Sequence, residues 1–161
     1  MLNGQPIAVQ ETGDKMLVEL YRRYAGDYPK FFKMDTLCRL GFIAAELLLK
    51  EQKVDTVVLA NRSASIKNDT DYLATISDDN YYPSPALFVY TLPNIVTGEI
   101  AIRHHIQGET SFYVLDNPEQ LEPILQSTLA TRHSPFVLLT GWCECSEANT
   151  FNAKLQIIWN N

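Results

Sequence analysis

Four small groups of side chains have types and spacings that could carry chemistry. Cys143 and Cys145 flank Glu144. On a strand, residues two apart point to one face, so the two thiols could form part of a metal or redox site. No second cysteine pair and no closely spaced histidine pair completes a ligand set, however. Buried core thiols are the simpler expectation, for Cys38 as well. His104 and His105 follow Arg103 just ahead of Gly108. No acid, base or nucleophile in the sequence converges on them, and helix-end histidines that favour the C-terminal dipole account for the pair. Ser63 and Ser65 have no Gly-x-Ser-x-Gly elbow around them, which argues against a serine nucleophile. Asp116-Asn117-Pro118 has the pattern of a helix start, two good capping residues before a proline at the first helical position. Gly98, Gly108 and Gly141 are isolated, so no phosphate-binding loop is present. No cofactor and no metal are expected.

The elements that must hold these residues follow from the hydrophobic pattern. Pro6-Ile7-Ala8-Val9 is a short strand candidate. Asp14 is placed to cap a first helix running to Tyr24, with Leu17, Leu20, Tyr21 and Tyr24 at helical spacing. A second helix follows Asp35, and its apolar positions from Leu37 to Leu48 cover so wide a face that it must pack on a sheet. Thr56–Ala60 reads as a central strand buried on both faces. After a polar segment come Pro85 and Pro93, each suited to the first turn of a helix, with Ser84 as a good cap. Ser111–Leu115 is a further strand. A helix from Pro118 to about Ala130 contains Pro123, which demands a kink or a late start. Phe136–Cys145 and Phe151–Trp159 are β-rich runs joined by Ser146-Glu147-Ala148-Asn149, as in an antiparallel hairpin. The expected architecture is a single α/β domain over residues 1–161, a three-layer α/β/α sandwich with a mixed five-stranded sheet.

Composition narrows the function classes. With 161 residues, 46% of them hydrophobic, the chain can bury roughly 70% of its unfolded surface and needs no disulfide or metal to fold. The net charge of −6, without a run of Lys or Arg, argues against nucleic acid or an anionic membrane as partner. It also fits poorly with a large basic docking face for an acidic carrier protein. The odd count of three cysteines, with no signal segment and no spanning apolar run, points to reduced thiols in the cytoplasm.

Several blocks, in order, resemble the amino-terminal half of β-ketoacyl-(acyl carrier protein) synthases, members of the thiolase-like superfamily. They are Lys33-Met34-Asp35 with Arg39-Leu40 and Ala44-Ala45-Glu46, then Val57 to Ser65, then Ser84 to Gly108 with Thr91-Leu92-Pro93-Asn94 at its centre, then Phe136 to Trp142. Together they span about Asp27 to Ser146, and they are most similar to short, divergent synthases of aryl-polyene and flexirubin-type pathways. The resemblance implies a nucleophilic cysteine at the turn after the Ser111–Leu115 strand. That position falls near Asn117, flanked by Asp116, and no cysteine lies within reach. The family's two catalytic histidines belong to a second half for which this chain has no counterpart.

What the resemblance implies is therefore a truncated, non-catalytic ketosynthase-like subunit in fatty-acid, polyketide or aryl-polyene synthesis. Half of a split synthase, or a standalone homodimer binding an acyl-type ligand, are the alternatives. It also implies that the strand Thr110, Ser111, Phe112, Tyr113, Val114 and Leu115 pairs across a two-fold axis, in a homodimer or with a full-length ketosynthase. An acyl carrier protein is a further candidate partner. Tyr81, Tyr82, Phe88 and Tyr90 are expected in the core or the dimer contact. Trp142 and Trp159 are expected on the face that a second half would cover.

Overall fold

The computed structural model describes residues 7–50, 52–79, 82–131, 134–146 and 150–160. Six helices are α1 (Gly13–Tyr24), α2 (Thr36–Leu49), α3 (Ile66–Leu73), α4 (Pro85–Val89), α5 (Ile95–His104) and α6 (Leu121–Thr131). Four strands are β1 (Thr56–Asn61), β2 (Thr110–Val114), β3 (Phe136–Cys145) and β4 (Phe151–Asn160). The sheet order is β2-β1-β3-β4. β1 pairs in parallel with β2 and with β3, and β4 closes the sheet antiparallel to β3.

Every residue of β1 is buried, as a central strand requires, and its side chains alternate between two cores. Val57 and Leu59 meet Leu139 and Cys143 of β3 beneath α1, α2 and α5, with Leu17, Phe31, Phe42 and Ile100 filling that layer. Val58 and Ala60 face the other way, with Leu138 and Trp142, against Leu121 and Leu125 of α6. Burying one such large apolar side chain contributes about 1.5–3 kcal/mol. The first core, with far more of them, dominates the stability.

The expected five-stranded sheet is corrected to four strands among the described residues. Pro6 lies outside those residues, and Ile7–Val9 is not a strand. Its backbone partners come from α1 instead. Arg23 Nη1 donates to Ala8 O at 2.7 Å, and the Gln10 and Glu11 amides donate to Glu19 Oε2 at 2.9 and 3.1 Å. Ala8 and Val9 are exposed, so strand pairing would gain no burial.

Other local differences have equally plain causes. Thr12, not Asp14, stands at the start of α1; the Asp14 carboxylate instead accepts from Thr36 Oγ1 at 3.0 Å and ties α1 to α2. Asp35 does cap α2, accepting from the Cys38 amide at 2.9 Å. Ser84 caps α4 with Pro85 in the first turn, but Pro93 falls ahead of α5, whose N-terminal position is Asn94. The polar stretch after β1 holds α3, an element not anticipated. The Pro118 helix takes the late start: a 3₁₀ turn over Pro118–Gln120, then α6 with Pro123 as its third residue. There its missing N–H is one of the four that a helix start leaves unbonded anyway. At the β3–β4 turn the Ser146 amide donates to Thr150 O at 3.1 Å; Glu147–Asn149 lie outside the described residues.

Candidate functional site

β1 lies between two parallel neighbours, and the chain leaves it first to one side and later to the other. The carboxyl ends of such strands form the crevice where open α/β sheets bind ligands. Three segments meet there: Asn61–Ser65 after β1, Leu115–Asn117 after β2, and the end of β3.

The first segment is tightly held. Asn61 is fully buried, and its side chain clamps Ala64 from both sides: Nδ2 donates to Ala64 O and Oδ1 accepts from the Ala64 amide, both at 2.8 Å. Ala64 has φ +49°, a left-handed conformation uncommon for alanine that this clamp stabilises. Glu144 of β3 accepts from the Arg62 and Ser63 amides at 2.8 and 3.3 Å. The Ser65 hydroxyl lies 2.6 Å from Thr91 O and 3.0 Å from Asp69 Oδ1. Ser63 and Ser65 thus organise the loop, and no histidine base stands beside either among these contacts.

The second segment is the turn where the resemblance puts the family's nucleophile and where this sequence has none. Asn117 Oδ1 accepts from the Gln120 amide at 3.3 Å, and the Asp116 amide donates to Gln120 Oε1 at 2.8 Å. Both residues are exposed. Asn117 caps the 3₁₀ turn before α6 with its side chain, as its residue type predicts, whereas Asp116 contributes only its backbone amide.

The thiols are elsewhere. Cys38, Cys143 and Cys145 are all free and buried in the first core. Burial pushes the Cys38 and Cys143 thiols far above the ordinary thiol range, and raises Cys145 to about 12. A thiol held protonated is a poor nucleophile and a poor metal ligand. Among the described residues, no three or more His, Cys, Asp or Glu side chains gather where a metal could sit.

Next to the rim lies a polar cavity of about 170 Å³ lined by Asp35, Arg39, Ser65, Lys67, Asn68 and Asp71, among others. Its charged groups already have partners. Arg39 donates to the Phe31 and Phe32 carbonyls at 3.3 and 3.0 Å, and Lys67 lies 3.2 Å from Asp71. Burial raises the Asp35 carboxyl, with its amide bond to Cys38 opposing. That is helix-cap chemistry, with no acid and base converging on a common point.

Arg103 and His104 do meet an acid. Glu46 of α2, 6% exposed, receives Arg103 Nε at 3.0 Å and Nη2 at 3.3 Å. His104 Nε2 stands 2.9 Å from Glu46 Oε1. Arg103 also reaches Asp27 at 2.7 Å. Burial raises the Glu46 carboxyl, but His104 and Arg103 outweigh it and hold it below the usual range. Sequence reasoning missed this cluster because Glu46 read only as a polar position on an apolar helix. His105 has φ +55° at the C-terminal end of α5.

The β2 edge is open among the described strands. The Val57 amide donates to Glu109 O, and the Leu115 amide to Asn61 O. The alternation of a parallel ladder then directs the N–H groups of Thr110, Phe112 and Val114 outward. Thr110 and Val114 are exposed while Ser111, Phe112 and Tyr113 are half-buried. The strand ends at Val114, one residue short of the expected range; Leu115 packs against the second core. Tyr82 and Phe88 are exposed and Tyr90 is half-buried, while Tyr81 lies outside the described residues. Trp142 is buried beneath α6 at 9% exposure, against the expectation of a surface position, whereas Trp159 on β4 is 57% exposed. The outward side of α6 carries Glu122, Gln126 and Ser127, all exposed.

No family model matches the chain, and no curated protein matches it. Among solved structures it is similar to one chain of the ketosynthase (ApeO) in complex with its chain length factor (ApeC) from Xenorhabdus doucetiae, with a TM-score of 0.63 and 17% identity. The match covers 75% of this chain and 51% of that one, so this chain spans about half the length of its structural neighbour. The likeness establishes a ketosynthase-like α/β fold. No helix among the described residues is long and apolar enough to cross a membrane.

Proposed function

We propose that this chain is a non-catalytic, ketosynthase-like binding subunit that pairs along β2 with a full-length ketosynthase. It works in the cytoplasm, in fatty-acid, polyketide or aryl-polyene-type synthesis, as a single domain over residues 1–161. One observation carries the reading. At the turn after β2, where the resembled family has its nucleophile, the Asn117 side chain is engaged in capping and the Asp116 amide is bonded to Gln120, and the chain's thiols are buried elsewhere. The structural neighbour is one chain of a complex between a ketosynthase and its chain length factor, which supports a paired role.

A homodimer is the second reading, favoured by the composition of β2. Thr110–Val114 contains no charged residue, so antiparallel self-pairing about Phe112 places no like charges opposite each other. Assaying the purified protein for carrier-protein-dependent decarboxylation of a malonyl unit, and for condensation, tests the non-catalytic reading. The expected result is no activity above buffer; turnover by this chain alone overturns it.

A further inference from the structure

α3 and α4 form a surface plate whose apolar side chains face outward. Seven of the twelve large apolar side chains exposed among the described residues lie between positions 66 and 92. Leu73 is 64% exposed and Phe88 55%, with Ile66, Ile76, Val89 and Leu92 also open. The two helices pack on each other, with the Tyr72 and Phe88 rings 5.6 Å apart and Asn68 Nδ2 donating to Leu87 O at 2.8 Å. Below them the hold is polar, through Ser65 Oγ and Thr91 O, and no side chain of α3 or α4 enters either core. So much exposed apolar area in one segment marks an interaction surface.

Charge selects what covers it. Residues 66–92 contain Asp69, Asp71, Asp78 and Asp79 against the single cation Lys67, half of the chain's net charge of −6. Lys67 is paired with Asp71 and Asp69 with Ser65. Asp78 and Asp79 are exposed, beside Ile76 in sequence, and form no ion pair among the described residues. A second copy on the same face would set acidic rim against acidic rim. An anionic lipid surface is repelled, and the basic face of a membrane-lying helix is missing. An acidic carrier protein is likewise repelled.

We propose that the α3–α4 plate is a docking surface for a protein partner that presents aliphatic or aromatic side chains flanked by Lys or Arg. Apolar contact at the centre supplies affinity, and complementary charge at the rim supplies orientation and rate. The plate contains no residue of β2, and the proposal stands whether or not β2 pairs.

The test uses a fluorescently labelled amphipathic helical peptide of leucine and lysine, its leucine–glutamate counterpart, and phosphatidylcholine vesicles. Binding to the whole chain is read by anisotropy at two salt concentrations. The lysine peptide is expected to bind saturably and more weakly at higher salt. At least tenfold loss is expected in Leu73→Ser/Phe88→Ser and a several-fold loss in Asp78→Asn/Asp79→Asn, with none in Trp159→Ser, an exposed apolar residue elsewhere. If the double apolar variant fails to fold, the charge variant carries the test, because it changes only exposed carboxylates. The proposal is overturned by no binding, by equal binding to all variants, or by equal binding of the glutamate peptide. Vesicle binding, or self-association abolished by Leu73→Ser, also overturns it.

Discussion

Glu46 illustrates how a single buried carboxylate couples two helices. It sits in the apolar face of α2 and gathers Arg103 and His104 from the end of α5. Removing one partner of a buried charge group leaves the others uncompensated, so Glu46→Gln is expected to cost about 3 kcal/mol, the low end for such changes because Arg103 keeps Asp27. The pH dependence has a definite sign. The folded carboxyl is held below its usual value, so its contribution is complete above the unfolded value of about 4.3 and is lost as pH falls through the folded one. Thermal melts between pH 7 and pH 3 should show that acid-side component in the wild type and its loss in Glu46→Gln. Asn61 makes a comparable case at the rim. Asn61→Ala removes both bonds to the half-buried Ala64 backbone, for an expected loss of about 1–3 kcal/mol by denaturant titration.

Helix packing depends on Gly41. A Cβ there would overlap Val96 Cγ2 on α5, and Val96 is fully buried and cannot swing away. Alanine would gain about 1 kcal/mol of helix propensity, but overpacking costs about 1–3 kcal/mol. The steric term is expected to win, and Gly41→Ala should melt lower than wild type. A higher melting temperature would mean that α2 and α5 do not cross this closely. At this scale much of the fold was legible. The uninterrupted apolar run of β1, the Asp35 cap and the broad apolar face of α2 each have one physical reading. The β3–β4 hairpin was also clear, because its strands are long and β-rich. α3 was hidden, because its packing on α4 uses Asn68 and Tyr72 where an apolar period would have been the signal. The fifth strand was an over-reading of Ile7–Val9, where side-chain partners on α1 replace strand pairing. At the site, the capping role of Asn117 was readable from its residue type, whereas Asp116, read as the other half of a capping pair, is held only through its backbone amide. The Glu46 and Glu144 contacts join residues 57 and more positions apart, which no local pattern reports.

The whole molecule has a ketosynthase-like α/β fold built around one central strand. Its second core is covered by α6, whose outward side is polar. Among the described residues, the exposed large apolar side chains concentrate around α3–α4, with the rest scattered at Val9, Phe32, Ile102, Val114 and Trp159. An open strand edge is a standing invitation to another strand, and β2, which has no charged residue of its own between Thr110 and Val114, presents three outward N–H groups. The most direct measurement of the account is a pull-down of the tagged chain from its source cells under native conditions, with retained proteins identified and quantified by mass spectrometry. Val114→Pro, which removes one outward N–H and leaves the bonds to β1 intact, is run in parallel. The account predicts near-equimolar recovery of a full-length ketosynthase with the wild type and its loss with Val114→Pro. Recovery of the chain alone, or of a ketosynthase held equally well by Val114→Pro, would contradict it.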